Sequence, residues 1–231
     1  MGPAPKPLRY TDISTAVKST NDAFKTDPLR RYVVETPDSN DTILHKITHN
    51  ANFSATLAEF VRKGTVWTIE DGAALVCYTR AKESNRDGSL DTLIQWLLPY
   101  ATAYRKGLLS PEQRRRYKEA EDKVHKKVEE TIGTRRDTML HLNLLATAPE
   151  KQGLGYGSVL VRVVTTQADE EKRATWLVSS NIANTGFYQS LGFEIKGEIV
   201  LGDDNPTWRE PAVVMFVMVR EYGDNDTRAP H

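Results

Sequence analysis

The sequence predicts an α/β fold, and three stretches carry that expectation. "GTVWTIEDGAALVCYTR" holds two β-rich runs, Val66 with Trp67 and Ile69, then Ala73 to Tyr78. Between them stands Asp71-Gly72, the strongest short hairpin signal in the chain. "SPEQRRRYKEAEDKVHKKVEETIG" reads as a highly charged helix. Ser110 is its N-cap, Pro111 enters the first turn, Gln113 closes a capping box, and Gly133 stops it. "MLHLNLLATAPEKQGLGYGSVLV" turns a strand into a helix through Gly153, Gly155 and Gly157, at every second position.

The remaining elements follow in order. Residues 1–7 hold three prolines and read as a flexible tail. Leu8 to Tyr10 can open a short strand, and Thr11 or Asp12 then caps a helix to about Phe24. Asp27-Pro28 breaks it, and a short second helix carries Leu29 to Val33. From Thr42 to Arg62 the apolar spacing gives one or two helices. Residues 82–136 stand apart as a helical insertion, with a polar loop, a Leu93 to Leu98 helix ended at Pro99, and the charged helix. They are read as lidding or walling a site. The run Arg114-Arg115-Arg116 is closely followed by acids, so it reads as a solvated helix face. Downstream, "TWLVS" is a strand and Asn184 to Leu191 a short helix closed by Gly192. Phe193 to Leu201 and Ala212 to Val219 are strands, and 221–231 is a polar tail. One domain, 8–220, accounts for this organisation.

Composition narrows the function. The 231 residues carry 31 basic and 31 acidic side chains, which argues against nucleic acid or an anionic membrane as partner. A single cysteine, Cys77, fits a reducing compartment. No stretch resembles a signal peptide or reaches membrane-spanning length, so the expected location is cytoplasmic.

A glycine-rich turn at a helix start exposes backbone N–H groups, and with the helix dipole these form an anion site. A P-loop requires Gly-Lys-Ser/Thr, but Ser158 follows the last glycine directly. The dinucleotide pattern G-x-G-x-x-G fails on spacing, and "TWLVS" ends without the acid it needs.

"QGLGYG", Gln152 to Gly157, resembles the Q/R-x-x-G-x-G/A motif of the GCN5-related N-acetyltransferases. "NTGFYQSLGF", Asn184 to Phe193, is similar to their second signature, in order and separated by a helix and a strand. An asparagine four before the tyrosine resembles the puromycin N-acetyltransferase-like branch. The resemblance covers Leu140 to Val219, with the 64–80 hairpin as second and third strands. It implies a mixed, mostly antiparallel sheet of six to seven strands flanked by helices. Acetyl-CoA then sits between splayed fourth and fifth strands, "HLNLLAT" and "TWLVS". Implied cofactor contacts are Leu145, Ala146, Thr147, Gln152, Gly153, Leu154, Gly155, Tyr156, Gly157, Ser158, Asn181, Asn184 and Tyr188. The Leu145 N–H is the implied donor to the thioester carbonyl.

Acetyl transfer to an amine needs a neutral amine, a stabilised oxyanion and a protonated leaving thiolate. Tyr188 matches the family's acid, and a phenol remains protonated at neutral pH. For the base, the puromycin-like glutamate position holds Val178, and the histone-type position holds His141. Strand alternation puts His141, Asn143 and Leu145 on one face, and His141 is a base or a structural histidine. Asp27, Asp203, Asp204 and Glu210 are further loop carboxylates. His45 and His49 lack a third ligand, so no metal is expected. The preferred reading is an N-acetyltransferase of a small-molecule amine. A peptide or protein acetyltransferase and an idle acyl-CoA-binding module are the alternatives. Oligomeric state is not legible.

Overall fold

The computed structural model describes residues 3–39, 43–82 and 109–223. The expected Leu93 to Leu98 helix with Trp96, and the tail from residue 224, lie outside the described residues. Seven strands form one sheet: β1 (Lys6–Pro7), β2 (Val66–Ile69), β3 (Ala74–Thr79), β4 (Leu140–Thr147), β5 (Thr175–Ser179), β6 (Glu194–Leu201) and β7 (Val213–Arg220). Their order is β1-β2-β3-β4-β5-β7-β6. Every neighbouring pair is antiparallel except β4–β5. The mixed, mostly antiparallel sheet is as expected.

Local chemistry sets the helices. In α1 (Ile13–Ala23), Asp12 takes the N-cap position, but its carboxylate caps no N–H. Arg9 holds it instead, at 2.9 Å. In α2 (Pro28–Val34), Asp27 is a working N-cap, accepting from the Leu29 and Arg30 N–H groups at 3.1 and 3.0 Å. The 42–62 region resolves as one helix, α3 (Ile43–Lys63). The charged helix is α4 (Pro111–Thr131), with the expected Ser110–Gln113 capping box. Then come α5 (Tyr156–Glu170) and the short α6 (Thr185–Gln189). The first strand is displaced: β1 lies in the stretch read as a tail, and Leu8 N–H donates to Val66 O at 3.1 Å.

Helices cover both faces of the sheet. α5 packs on one face, against Val76, Tyr78, Leu140 and Leu142. On the other, α1 and α3 cover Leu75, Cys77, Leu144 and Ala146. Beside them α2 and α4 cover Trp176, Met215 and Val217. On β4 the apolar residues change face between Leu142 and Leu144. The cause is a bulge: Tyr78 pairs with Leu142 and Cys77 with Leu144, leaving Asn143 as an extra residue.

The bulge corrects one expectation. His141 and Asn143 do share a face, but Leu145 lies on the opposite one, packed on the α5 side. Simple alternation fails at the extra residue.

α4 is a core layer, burying Tyr117, Ala120, Val124 and Val128. Nor is its arginine run wholly solvated: Arg116 is 0% exposed. Its guanidinium donates to Glu112 at 2.8 Å, Tyr32 O at 2.8 Å, Glu35 O at 3.2 Å and Thr207 O at 3.0 Å. It also lies 5.0 Å from the Tyr32 ring centroid and 5.3 Å from that of Trp208. One side chain thus ties α4 to the end of α2 and to the 202–211 loop. Arg116→Leu removes the donor shared by the Tyr32, Glu35 and Thr207 carbonyls, while Glu112 keeps Arg115 at 2.8 Å. It is expected to cost about 3–5 kcal/mol, measured by urea unfolding. A loss near zero would show the network to be dispensable.

Candidate active site

β4 and β5 pair through only Leu140–Thr175 and His141–Trp176. Beyond those residues the strands part. β4 stays hydrogen-bonded to β3 out to Thr147, and β5 to β7 out to Ser179. The facing edges of both strands are therefore left for another group. A cavity of about 50 Å³ fills the wedge. It is lined by Leu142 to Leu145 of β4, Leu177 to Ser180 from β5 onward, Phe24, Asn184 and Tyr188.

Tyr188 enters from α6 and is 8% exposed. Phe187 and Phe193 pack edge-on against it, with ring centroids at 5.0 and 5.8 Å. Burial alone raises its pKa, so the phenol is a proton donor across the working range. Leu145 and Asn184, both expected near a cofactor, line the same wedge.

The glycine turn leaves β4 through Pro149–Lys151 and starts α5 at Tyr156. Gly153 and Gly155 have φ of +78°, a region where side chains are strained, and a Cβ at either would meet nothing within 4 Å. Gly155 is the N-cap and no side chain caps the helix. The first N–H groups are open to an anion. Gly157 serves differently: a Cβ there would sit 3.3 Å from Phe187. Tyr156 donates to Glu70 at 2.6 Å, and Lys151 pairs with Glu70 at 2.6 Å, which fastens the turn to the β2–β3 hairpin. The Gln152 amide donates to Thr147 O at 3.2 Å. Asn181 caps its own turn, accepting from Ala183 N–H at 2.9 Å. Ala146 and Thr147 pair with β3. Leu154 is exposed, and Ser158 lies in the first turn of α5.

His141 is 6% exposed and stacked flat on Trp176, with centroids 3.7 Å apart. Asn143 lies 2.8 Å from its Nδ1 and accepts from the Thr79 hydroxyl at 2.8 Å. With the Asn143 oxygen facing Thr79, its NH₂ donates to Nδ1, so that nitrogen is already engaged. His141 stands at the hinge where the strands part and does not line the wedge.

The loop carboxylates separate clearly. Asp203 pairs with Lys123 at 3.0 Å and Glu210 with Arg31 at 3.5 Å. Asp204 belongs to the same loop, which Trp208 pins edge-on to Tyr32 at 5.1 Å. Of these four, Asp27 alone touches the wedge lining, and only through Ser180. It accepts from the Ser180 hydroxyl at 2.6 Å, and Ser180 lines the cavity. Burial pushes its pKa up, against hydrogen bonds from Ser180, Arg30 and Leu29 that lower it. Ser180 and Phe24 went unsingled by the sequence reading; their only signal is position, one after β5 and one at the end of α1. No group of three or more His, Cys, Asp or Glu among the described residues is placed to hold a metal. None of the described helices is long and apolar enough to cross a membrane.

Residues 119–195 match the family model of the acetyltransferase (GNAT) domain. The chain has the GNAT acetyltransferase fold. Arylalkylamine N-acetyltransferase 2 from Aedes aegypti is similar at 14% identity and TM-score 0.60, over 94% of this chain and 97% of that one. A histone acetyltransferase and related acetyltransferase from Corynebacterium glutamicum is similar at 16% identity and TM-score 0.56, over 96% and 97%. The PaiA N-acetyltransferase of Thermoplasma acidophilum, in complex with coenzyme A, is similar at 10% identity and TM-score 0.52, over 96% and 100%. Among curated proteins none matches the chain in sequence. The bare turn offers open N–H donors to an anion, and the parted edges offer unpaired backbone. Gly155→Glu is expected to cost about 1–2 kcal/mol of stability from the left-handed backbone. Acetyl-CoA affinity is expected to fall more than about tenfold, since a carboxylate replaces an anion cradle. Unchanged affinity by calorimetry in the folded variant would remove the turn from the binding site.

Proposed function

We propose that this protein transfers the acetyl group of acetyl-CoA to the primary amine of a small molecule. The observation that carries the reading is the wedge between β4 and β5, with a buried, protonated Tyr188 in its wall. The GNAT domain match and the arylalkylamine neighbour support it. Placement in the puromycin-like branch rests on the motif around Asn184 and Tyr188 alone.

Each step has a residue. The amine attacks the thioester carbonyl, and the oxyanion that forms takes the Leu145 N–H. As the C–S bond breaks, the Tyr188 hydroxyl protonates the leaving thiolate. The amine's surplus proton leaves on the opposite side of the wedge, to Asp27 through the Ser180 hydroxyl. Asp27 suits the task because burial raises its pKa above an ordinary carboxylate, making it a stronger base. His141 meets the wedge only through the Asn143 amide, which donates to its Nδ1 and cannot relay a proton as the Ser180 hydroxyl can, so it acts as a positioning residue that holds Asn143 and the strand hinge.

Tyr188→Phe keeps the ring packing and removes the acid. kcat is expected to fall about 10²–10⁴-fold with acetyl-CoA affinity unchanged. Full activity of this variant on a true acceptor would reject the leaving-group role.

Asp27→Asn preserves an N-cap and removes the base. The acidic limb of kcat/KM, rising through a pKa above the usual carboxylate range, should disappear, and the rate should drop by about 10²–10⁴. The stability sign is opposite. A carboxyl whose folded pKa is raised favours the neutral form, and that contribution is lost as pH rises through the folded pKa. At neutral pH the ionised Asp27 therefore opposes folding, and the amide is expected to match or exceed wild-type stability. A retained acidic limb in Asp27→Asn that vanishes in His141→Gln would transfer the base to the histidine.

A further inference from the structure

A second opening lies on the same face as Asp27, between α3 and the end of the sheet where β2 begins and β3 ends. It is a groove of about 550 Å³, against about 50 Å³ for the wedge. The larger value is within the range of small-molecule sites, roughly 300–1,000 Å³. Thr79 joins the two: it lines the groove, and its hydroxyl donates at 2.8 Å to Asn143, which lines the wedge. From the wedge beside β4 to the groove over β2–β3 is roughly two strand spacings, about 10 Å.

The groove's polar groups are unbalanced. Thr65 is 4% exposed, and its Oγ1 is buried with no hydrogen-bond partner. The Asn52 Nδ2 is likewise buried without a partner. Both line the groove. An amide NH₂ can only donate, and a hydroxyl can donate. Buried groups of this kind cost free energy unless a partner arrives. At the rim stand Lys63, Arg80 and one acid, Glu59. Glu59 is already held by Arg62 at 2.6 Å and Lys63 at 3.3 Å. Two buried donors thus sit in the groove's wall beside Lys63 and Arg80, and Glu59 is the one carboxylate among the described lining residues.

We infer that this groove receives the far end of the acceptor, and that the acceptor carries a carboxylate about 10 Å from its reacting amine. This rests on the N-acetyltransferase reading and names the substrate class for it. The amine enters the wedge past Thr79 and Asn143. Its carboxylate accepts from Asn52 and Thr65 and is neutralised by Arg80, with Lys63 shared with Glu59. A polyamine would place its second cation beside these same cations, with Glu59 already spoken for. The same carboxylate chemistry is presented by an ω-amino acid and by a short peptide's C-terminus.

The test uses a series of lengths. 4-Aminobutanoate, 6-aminohexanoate, 8-aminooctanoate and the tripeptide Ala-Ala-Ala, which spans about 10 Å, are assayed beside their matched amides and alkylamines. One length is expected to show a KM at least about tenfold below its amide. Thr65→Val with Asn52→Leu should raise that KM about tenfold or more, with kcat and the alkylamine KM within about twofold. Whether the best acid is the ω-amino acid or the tripeptide distinguishes the two sources. Calorimetry of the N-acetylated acids with CoA-loaded protein provides a readout without turnover. If no amine is acetylated but the acids bind wild type and not the double variant, the function reading fails and the carboxylate site stands. If acids and amides behave alike, if none binds at millimolar concentration, or if the folded double variant is indistinguishable from wild type, the inference is overturned.

Discussion

The parting of β4 from β5 is the constraint on which the rest depends. A sheet that pairs two neighbouring strands through two residue pairs and then abandons the ladder leaves backbone donors and acceptors unmet. Such an edge is tolerated in a buried place only if something fills it. The surrounding structure keeps it open rather than closed. β3 and β7 hold the outer edges of β4 and β5, so each strand stays anchored in the sheet beyond the hinge. His141 stacked on Trp176 pins the hinge at the last paired residues. The Asn143 bulge then turns Leu144 toward α1 and α3 while Leu145 packs toward α5.

In the proposed reaction the wedge divides the chemistry by face. Tyr188 approaches from α6, next to the glycine turn and α5. Asp27 approaches from the N-terminus of α2, through Ser180. A donor for a leaving thiolate and an acceptor for an amine proton are needed on opposite sides of a tetrahedral centre. The sheet supplies the separation. Both pKa values are raised by burial, with opposite effects. Burial keeps the phenol protonated at the cost of acid strength, and it makes the carboxylate a better base.

Much of this was legible in the sequence. The hairpin at Asp71-Gly72, the Ser110 capping box, the glycine turn and the α6 tyrosine are local signals, each set by residues within a few positions. Local rules read them because backbone conformation and capping depend on near neighbours. What escaped was the non-local. A bulge at Asn143 has no signature in "LHLNLLAT", so alternation put Leu145 on the wrong face. Asp27 was one of four loop acids until the fold brought Ser180, 153 residues away, against it. β1 formed at Lys6–Pro7 because β2 offered an edge there, not because of its own propensity.

Arg116 shows the same limit most sharply and explains how α2 is held. Composition put it on a wet face, since two arginines precede it and acids follow. Its burial comes from what α4 meets: the final carbonyls of α2 and the 202–211 loop, neither near it in sequence. Free carbonyls at a helix end need donors, and a guanidinium supplies several in one plane. By tying Tyr32 O and Glu35 O, Arg116 fixes the end of α2 opposite to Asp27. A seven-residue helix clamped at its C-terminus and capped at its N-terminus has little freedom to tilt. The carboxylate beside Ser180 therefore holds its place through a contact made at the far end of the helix that carries it.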